Sequence, residues 1–168
     1  AAGRHHTRLV SSDLNGRTLH VLNDHEMTSH YGWRDPRTVL AWAHRRDRGN
    51  RYYLFKDLSS EAPAILGETV FDRDGHCTYS PDGKWVLTDT YPDEARFRTL
   101  ILYRLADGLR VDIGRFFHRK EIDGEIRCDL HPRFSRDGQQ VCIDSIHEGP
   151  RQVYVLDVSK LMRGEGLA

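Results

Sequence analysis

His76-Cys77-Thr78-Tyr79-Ser80-Pro81-Asp82-Gly83 is the stretch that decides the fold, because its grammar recurs twice in the chain. His30-Tyr31-Gly32-Trp33-Arg34-Asp35-Pro36 lines up with it on one side, and His131-Pro132-Arg133-Phe134-Ser135-Arg136-Asp137-Gly138 on the other. In each copy an aromatic residue stands three positions after the histidine. A turn of Asp, Pro or Gly residues follows, and then an apolar run at 38–43, 84–89 and 140–145. Histidine, aromatic, turn and strand therefore form one unit.

A third strand is expected after each hairpin, at 51–57, 99–105 and 152–158, where Tyr, Val, Leu and Phe are concentrated. A fourth is expected at 64–67 and 110–115. The histidines are spaced 46 and 55 residues apart, close to the roughly 40–50 residues of a four-stranded propeller blade. The polar insert at 117–127 explains the longer spacing. Upstream, 7–13 and 17–23 read as the last two strands of an earlier blade, joined around Asn15-Gly16. The reading is an all-β, β-propeller chain of four-stranded antiparallel blades. It divides at 1–27 (the end of one blade), 28–67 (a blade), 68–116 (a blade) and 117–168 (an incomplete last blade). Three to four blades fall short of the count that closes a ring. The chain is thus expected to be a fragment of a longer protein, or to complete its ring with a second subunit. No window carries apolar residues at helical spacing for three turns, and Met27 and Met162 are placed in loops or ends.

Composition removes several classes of function. Twenty-five basic residues balance 25 acidic ones and 38% of residues are hydrophobic. That balance speaks against a disordered tail and against a basic nucleic-acid binder. No apolar run approaches the roughly 18 residues that cross a bilayer, and no apolar leader stands near Ala1, so a cytoplasmic protein without a membrane partner is expected. Cys77, Cys128 and Cys142 are odd in number and lack metal-site spacing; they are expected to be reduced and buried.

Ten histidines are a high count for 168 residues. Three of them hold the same blade position, so they are expected to face one funnel, where neutral imidazoles can bind a divalent transition metal. Asp129, two residues before His131, is the nearest carboxylate to complete such a set. Repeat proteins also keep a polar residue at one position to bond the neighbouring blade's backbone, and that reading stays open for each histidine. His20, His44, His118 and His147 are expected to be solvated. Arg127 suits an anionic substrate, because its planar fork matches a carboxylate; pairing with Glu125 or Asp129 at the surface is the alternative. Arg4 and Arg8 carry the same two readings. Trp33, Tyr79 and Phe134 are expected in the core between blades. Nucleophile-elbow, phosphate-loop and His-Glu-x-x-His motifs are all lacking.

With these segments in view the chain resembles the oligogalacturonate lyase family, seven-bladed propellers related to Tol-associated propeller repeats. The carriers are Thr28-Ser29-His30-Tyr31-Gly32-Trp33-Arg34-Asp35, Asp74-Gly75-His76-Cys77-Thr78-Tyr79-Ser80-Pro81-Asp82-Gly83, and Arg127-Cys128-Asp129-Leu130-His131-Pro132-Arg133-Phe134-Ser135-Arg136-Asp137-Gly138. The resemblance implies a carbon-oxygen lyase acting by β-elimination on an acidic, uronate-containing oligosaccharide. His30 would be the base, and His76 and His131 would be ligands of a manganese-like divalent ion. Arg4 or Arg8 would help neutralise the substrate carboxylate. The chain departs from the family's pattern at one point: the His-x-His pair of the last blade is Asp129-Leu130-His131 here, and the expected glutamine falls near Ile126 and Arg127. A non-catalytic propeller, either a protein-binding platform or an accessory domain of a longer enzyme, is the rival from another class.

Overall fold

Ser80 and Ser135 show why the repeat folds alike wherever it occurs. The structure is a computed structural model and describes residues 6–165. In it the Ser80 hydroxyl donates to Asp82 at 2.6 Å and accepts the Trp85 N–H at 3.0 Å. Ser135 repeats both bonds, with Asp137 at 2.6 Å and the Gln140 N–H at 3.0 Å. Gly83 and Gly138 close the two turns at φ of 68° and 71°, a left-handed backbone that costs an L-residue with a Cβ roughly 1–2 kcal/mol.

The chain divides into two compact units, residues 1–74 and 75–168. In the first, β1 (Leu9–Ser12) and β2 (Leu19–Asn23) make a two-stranded antiparallel sheet. It is followed by a four-stranded sheet of β3 (Thr28–Asp35), β4 (Thr38–Arg45), β5 (Gly49–Lys56) and β6 (Ala64–Leu66). In the second unit, β7 (Thr78–Tyr79), β8 (Trp85–Asp89), β9 (Phe97–Arg104) and β10 (Arg110–Phe117) form another four-stranded sheet. The last sheet has three strands, β11 (Arg133–Phe134), β12 (Gln140–Ser145) and β13 (Gln152–Asp157). In every sheet spatial order follows chain order and neighbours are antiparallel, the meander of a propeller blade. After β13 the chain enters a single helical turn, α1 (Ser159–Met162).

Each unit buries its own core. In the first, one face of β4 and β5 supplies Val39, Ala41, Ala43, Tyr53 and Phe55, which meet Leu9 from β1. On the opposite face Trp42, Tyr52 and Phe71 pack edge to face, with ring centroids 5.1 and 5.2 Å apart. In the second unit Trp85, Leu87, Leu100 and Leu102 pack against Leu130, Val141, Ile143 and Val158, so its two sheets share one apolar layer.

Two expectations about packing are corrected. Trp33 is 55% exposed rather than in the core. It lies on β3, which is flanked by β4 at the edge of its sheet. Phe134 is half-buried against the second core and Tyr79 is half-buried as well. Of the cysteines only Cys128 is buried; Cys77 and Cys142 are half-buried, and no disulfide joins the three.

Candidate functional site

β8 and β9 carry apolar side chains inward and end in charge. Trp85 and Leu87 face the second unit's core, and the two-residue period of β8 puts Asp89 on the same side. Leu102 and Leu100 do the same on β9, and Arg98 follows them. Asp89 and Arg98 are each only 2% exposed, so each needs a partner inside the protein.

Asp89 is matched by His76. The imidazole Nδ1 lies 2.9 and 3.0 Å from the two carboxylate oxygens, and the His76 backbone N–H donates to Oδ1 at 2.7 Å. A carboxylate only accepts, so Nδ1 is the donor in this bond. Gly75 permits this approach: a Cβ there would overlap the Asp89 carbonyl oxygen and crowd the Thr88 hydroxyl. Gly75→Ala is therefore expected to cost about 1–3 kcal/mol in urea unfolding and to move the His76 imidazole nitrogen resonances. Unchanged resonances would show that His76 does not depend on this close packing.

Arg98 is matched by Asp129, which lies on the segment leading to β11. An Arg98 Nη is 2.6 Å from one carboxylate oxygen, and the Arg127 Nε–H donates to the other at 2.7 Å. Burial pushes the Asp129 carboxyl up. The Arg127 hydrogen bond and the charges of Arg98 and Arg127 outweigh it and hold the group below the usual carboxylate range. Both guanidiniums also approach the Tyr91 ring, with Cζ atoms 5.7 Å (Arg98) and 5.4 Å (Arg127) from its centroid.

His131 completes the group. It is exposed, its φ is +42°, and its ring centroid is 4.1 Å from that of His76. Desolvation and the facing His76 hold its pKa below the ordinary imidazole value. One ligand atom from each of His76, Asp129 and His131 lies within 4.8 Å of the others. The three residues singled out as ligands in the sequence are thus neighbours in space.

The remaining histidines differ from expectation. His118 is not solvated but 1% exposed, because its backbone N–H donates to the Arg96 carbonyl at 2.8 Å and its own carbonyl accepts from Arg96 Nε at 3.2 Å. Burial and the nearby Arg98 charge lower its pKa. His20, His44 and His147 are half-buried, and His147 packs against Phe116 and Tyr154 at 5.1 and 4.4 Å between ring centroids.

In the first unit, His30 sits where the β3–β4 ladder skips Ser29 and His30. Its Nδ1 is 2.9 Å from Asp74 and 3.1 Å from the Ser29 hydroxyl. Arg8 is exposed just before β1. Arg4 lies outside the described residues.

Whether a manganese-like ion suits the second unit's group turns on Asp129. Each of its oxygens already faces a guanidinium, so a dication there would stand against two like charges. The position next to the expected glutamine is Arg127, which offers hydrogen-bond donors only. His76 and His131 would be left to hold it, and His76 already bonds Asp89 through Nδ1. As folded, the residues do not fit such an ion.

Asp74, Asp89, Tyr91 and Arg98 were not singled out in the sequence. A period-two reading of Phe97-Arg98-Thr99-Leu100-Ile101-Leu102 would have placed Arg98 on the inward face beside two leucines. The same period in Trp85-Val86-Leu87-Thr88-Asp89 would have placed Asp89 inward; Asp74 leaves no comparable local signal.

No protein-family model and no curated protein matches the chain. Among solved structures it resembles TolB from Acinetobacter baumannii, with a TM-score of 0.67 and 20% identity, over 89% of this chain and 35% of that one. A TolB candidate from Agrobacterium tumefaciens matches with a TM-score of 0.51 and 14% identity, over 90% of this chain and 67% of that one. The chain thus spans about a third of the first of these structures. At such identities the likeness concerns architecture alone, and the architecture is that of the TolB-like β-propellers.

Proposed function

We propose that the chain is a non-catalytic part of a β-propeller, a protein-binding platform or an accessory region of a longer enzyme. The observation that supports this reading is the closed charge network of the second unit: His76 on Asp89, and Asp129 on both Arg98 and Arg127. Such a network holds side chains still and ties Asp89 to His76 and Asp129 to two arginines. The TolB-like architecture agrees with it. Incubation with oligogalacturonides, with and without added Mn2+, is expected to yield no ultraviolet-absorbing unsaturated product. Product that disappears in His30→Ala would overturn the platform reading.

A second reading is a lyase-like propeller acting on uronate oligosaccharides, and the His30–Asp74 pair favours it. A carboxylate holding Nδ1 orients the His30 ring, as a general base requires. This reading includes a manganese-like ion at His76 and His131, for which Asp129 would have to release Arg127. Metal analysis of the purified chain beside His76→Ala and His131→Ala tests it: a metal-free unmutated protein removes the metal-assisted form.

A further inference from the structure

β13 ends its sheet with an open edge. In the four-stranded sheets β6 and β10 take the outer position, whereas no described strand lies beyond β13. Those two fourth strands also guard their edges. β6 has only three residues and follows Pro63. β10 breaks register between Asp112 and Gly114 and carries the Arg110–Asp112 and Arg115–Asp93 ion pairs. β13 has none of these devices: Gln152 to Asp157 pair with β12 in unbroken register, and Asp157 is the strand's one charge. The chain then turns away, because Leu161 and Met162 pack on the second unit's core. The far side of β13 is left with a row of backbone donors and acceptors, a template for another strand.

Side chains say which strand fits there. Tyr154 and Leu156 pack on the core, so Val153 and Val155 point the other way and are 62% and 61% exposed. On the inner strands that outward face carries the Arg133–Asp144 ion pair, so its exposed apolar strip runs along the edge. Arg151 precedes the strand and Asp157 ends it, both exposed. An antiparallel second copy brings each of these charges toward its opposite, whereas a parallel copy sets like against like. One Nη of Arg151 already donates to the Ile126 and Arg127 carbonyls, so its charge steers the approach without having to form a new bond. We infer that β13 is a homodimer edge: two copies pair this strand antiparallel about a twofold axis at Tyr154 and join two three-stranded sheets into one. In that register Val153 of each copy lies opposite Val155 of the other, and the apolar strips cover each other. A twofold contact uses up the edge, so assembly stops at two copies. The inference goes beyond both functional readings and needs neither turnover nor metal.

The test is sedimentation equilibrium of the full chain over a concentration series, with amide hydrogen exchange followed at low and high concentration. A contact between two short strands is small, so a dissociation constant on the order of 10 µM is expected. Protection of residues 152–157 is expected to rise as the dimer forms. Val153→Lys combined with Val155→Lys sets like charges opposite each other and is expected to weaken association roughly tenfold or more. Val153→Glu combined with Val155→Lys sets opposite charges at the same places and is expected to recover roughly fivefold or more over the double lysine variant. These positions are exposed, and urea unfolding of each variant separates folding from pairing. Should a double variant unfold, Val155→Lys alone carries the test, with association expected to weaken roughly threefold or more. A chain that stays monomeric up to about 1 mM, assemblies larger than two copies, unchanged protection of 152–157, or equal association of the two double variants would each overturn the inference.

Discussion

Asp129→Ala is expected to destabilise the chain by about 3–5 kcal/mol, the usual cost of removing one partner from a buried ion pair. The magnitude follows from what remains. Arg98 is 2% exposed and its ion-pair partner is gone, so a guanidinium is left buried with the Thr90 carbonyl, at 3.4 Å, the Tyr91 ring and the more distant charge of Asp89, which is itself bonded to His76. Exposed pairs set the contrast: Lys56 and Glu61 are more than half exposed, and breaking that bond is expected to cost about 0–1 kcal/mol. Urea unfolding of the two variants side by side measures the difference. Equal effects would show that the Arg98–Asp129 pair is not buried in solution.

The same pair sets a direction for pH. The folded-state pKa of Asp129 lies below its ordinary value, so the unfolded chain takes up a proton first as pH falls. The stability contributed is fully present above about pH 4, the ordinary value, and is lost as pH falls through the lower folded value. Thermal midpoints are expected to drop over that acidic window in the unmutated chain and to drop less in Asp129→Asn. Parallel curves would remove Asp129 as a source of acid sensitivity.

Leu100→Ala is expected to cost about 2–5 kcal/mol, the range for a buried leucine cut to alanine. Leu100 is fully buried, pairs opposite Asp89 on β8, and shares its face with Arg98. A cavity there removes apolar contacts from both sheets of the second unit and loosens the strand that holds Arg98 in place. The variant is therefore expected to expose Tyr91, seen as a change in its fluorescence, as well as to lower the urea midpoint. A loss well under 1 kcal/mol would mean that the neighbouring Val141 and Ile143 collapse into the space.

Much of the fold was legible because a blade is local. Ser80, Asp82 and Gly83 make their turn within a few residues, as do Ser135, Asp137 and Gly138, and each turn hands the chain to an adjacent strand. The strand pattern around Leu87, Leu102 and Val141 follows the two-residue period and needs no distant information. Trp33 was misread because local pattern marks an aromatic residue as core-forming but does not say which face of its strand the rest of the protein covers. His118 was misread because a polar neighbourhood in sequence, Arg119-Lys120-Glu121, hides the backbone pairing to Arg96 that buries it.

The recurrence of histidine, aromatic and turn by itself determined the antiparallel β-propeller class, and it singled out His76 and His131, beside which Asp129 is the nearest carboxylate. Tertiary structure alone decided what those residues do to one another. Asp129 meets Arg98 across 31 positions of chain, and His30 meets Asp74 across 44. Those pairings exist because packing brings together segments far apart in sequence, and a charge as buried as Arg98 takes whichever opposite charge that packing delivers. A carboxylate that reads as a metal ligand in the sequence is, once folded, the anchor of two arginines.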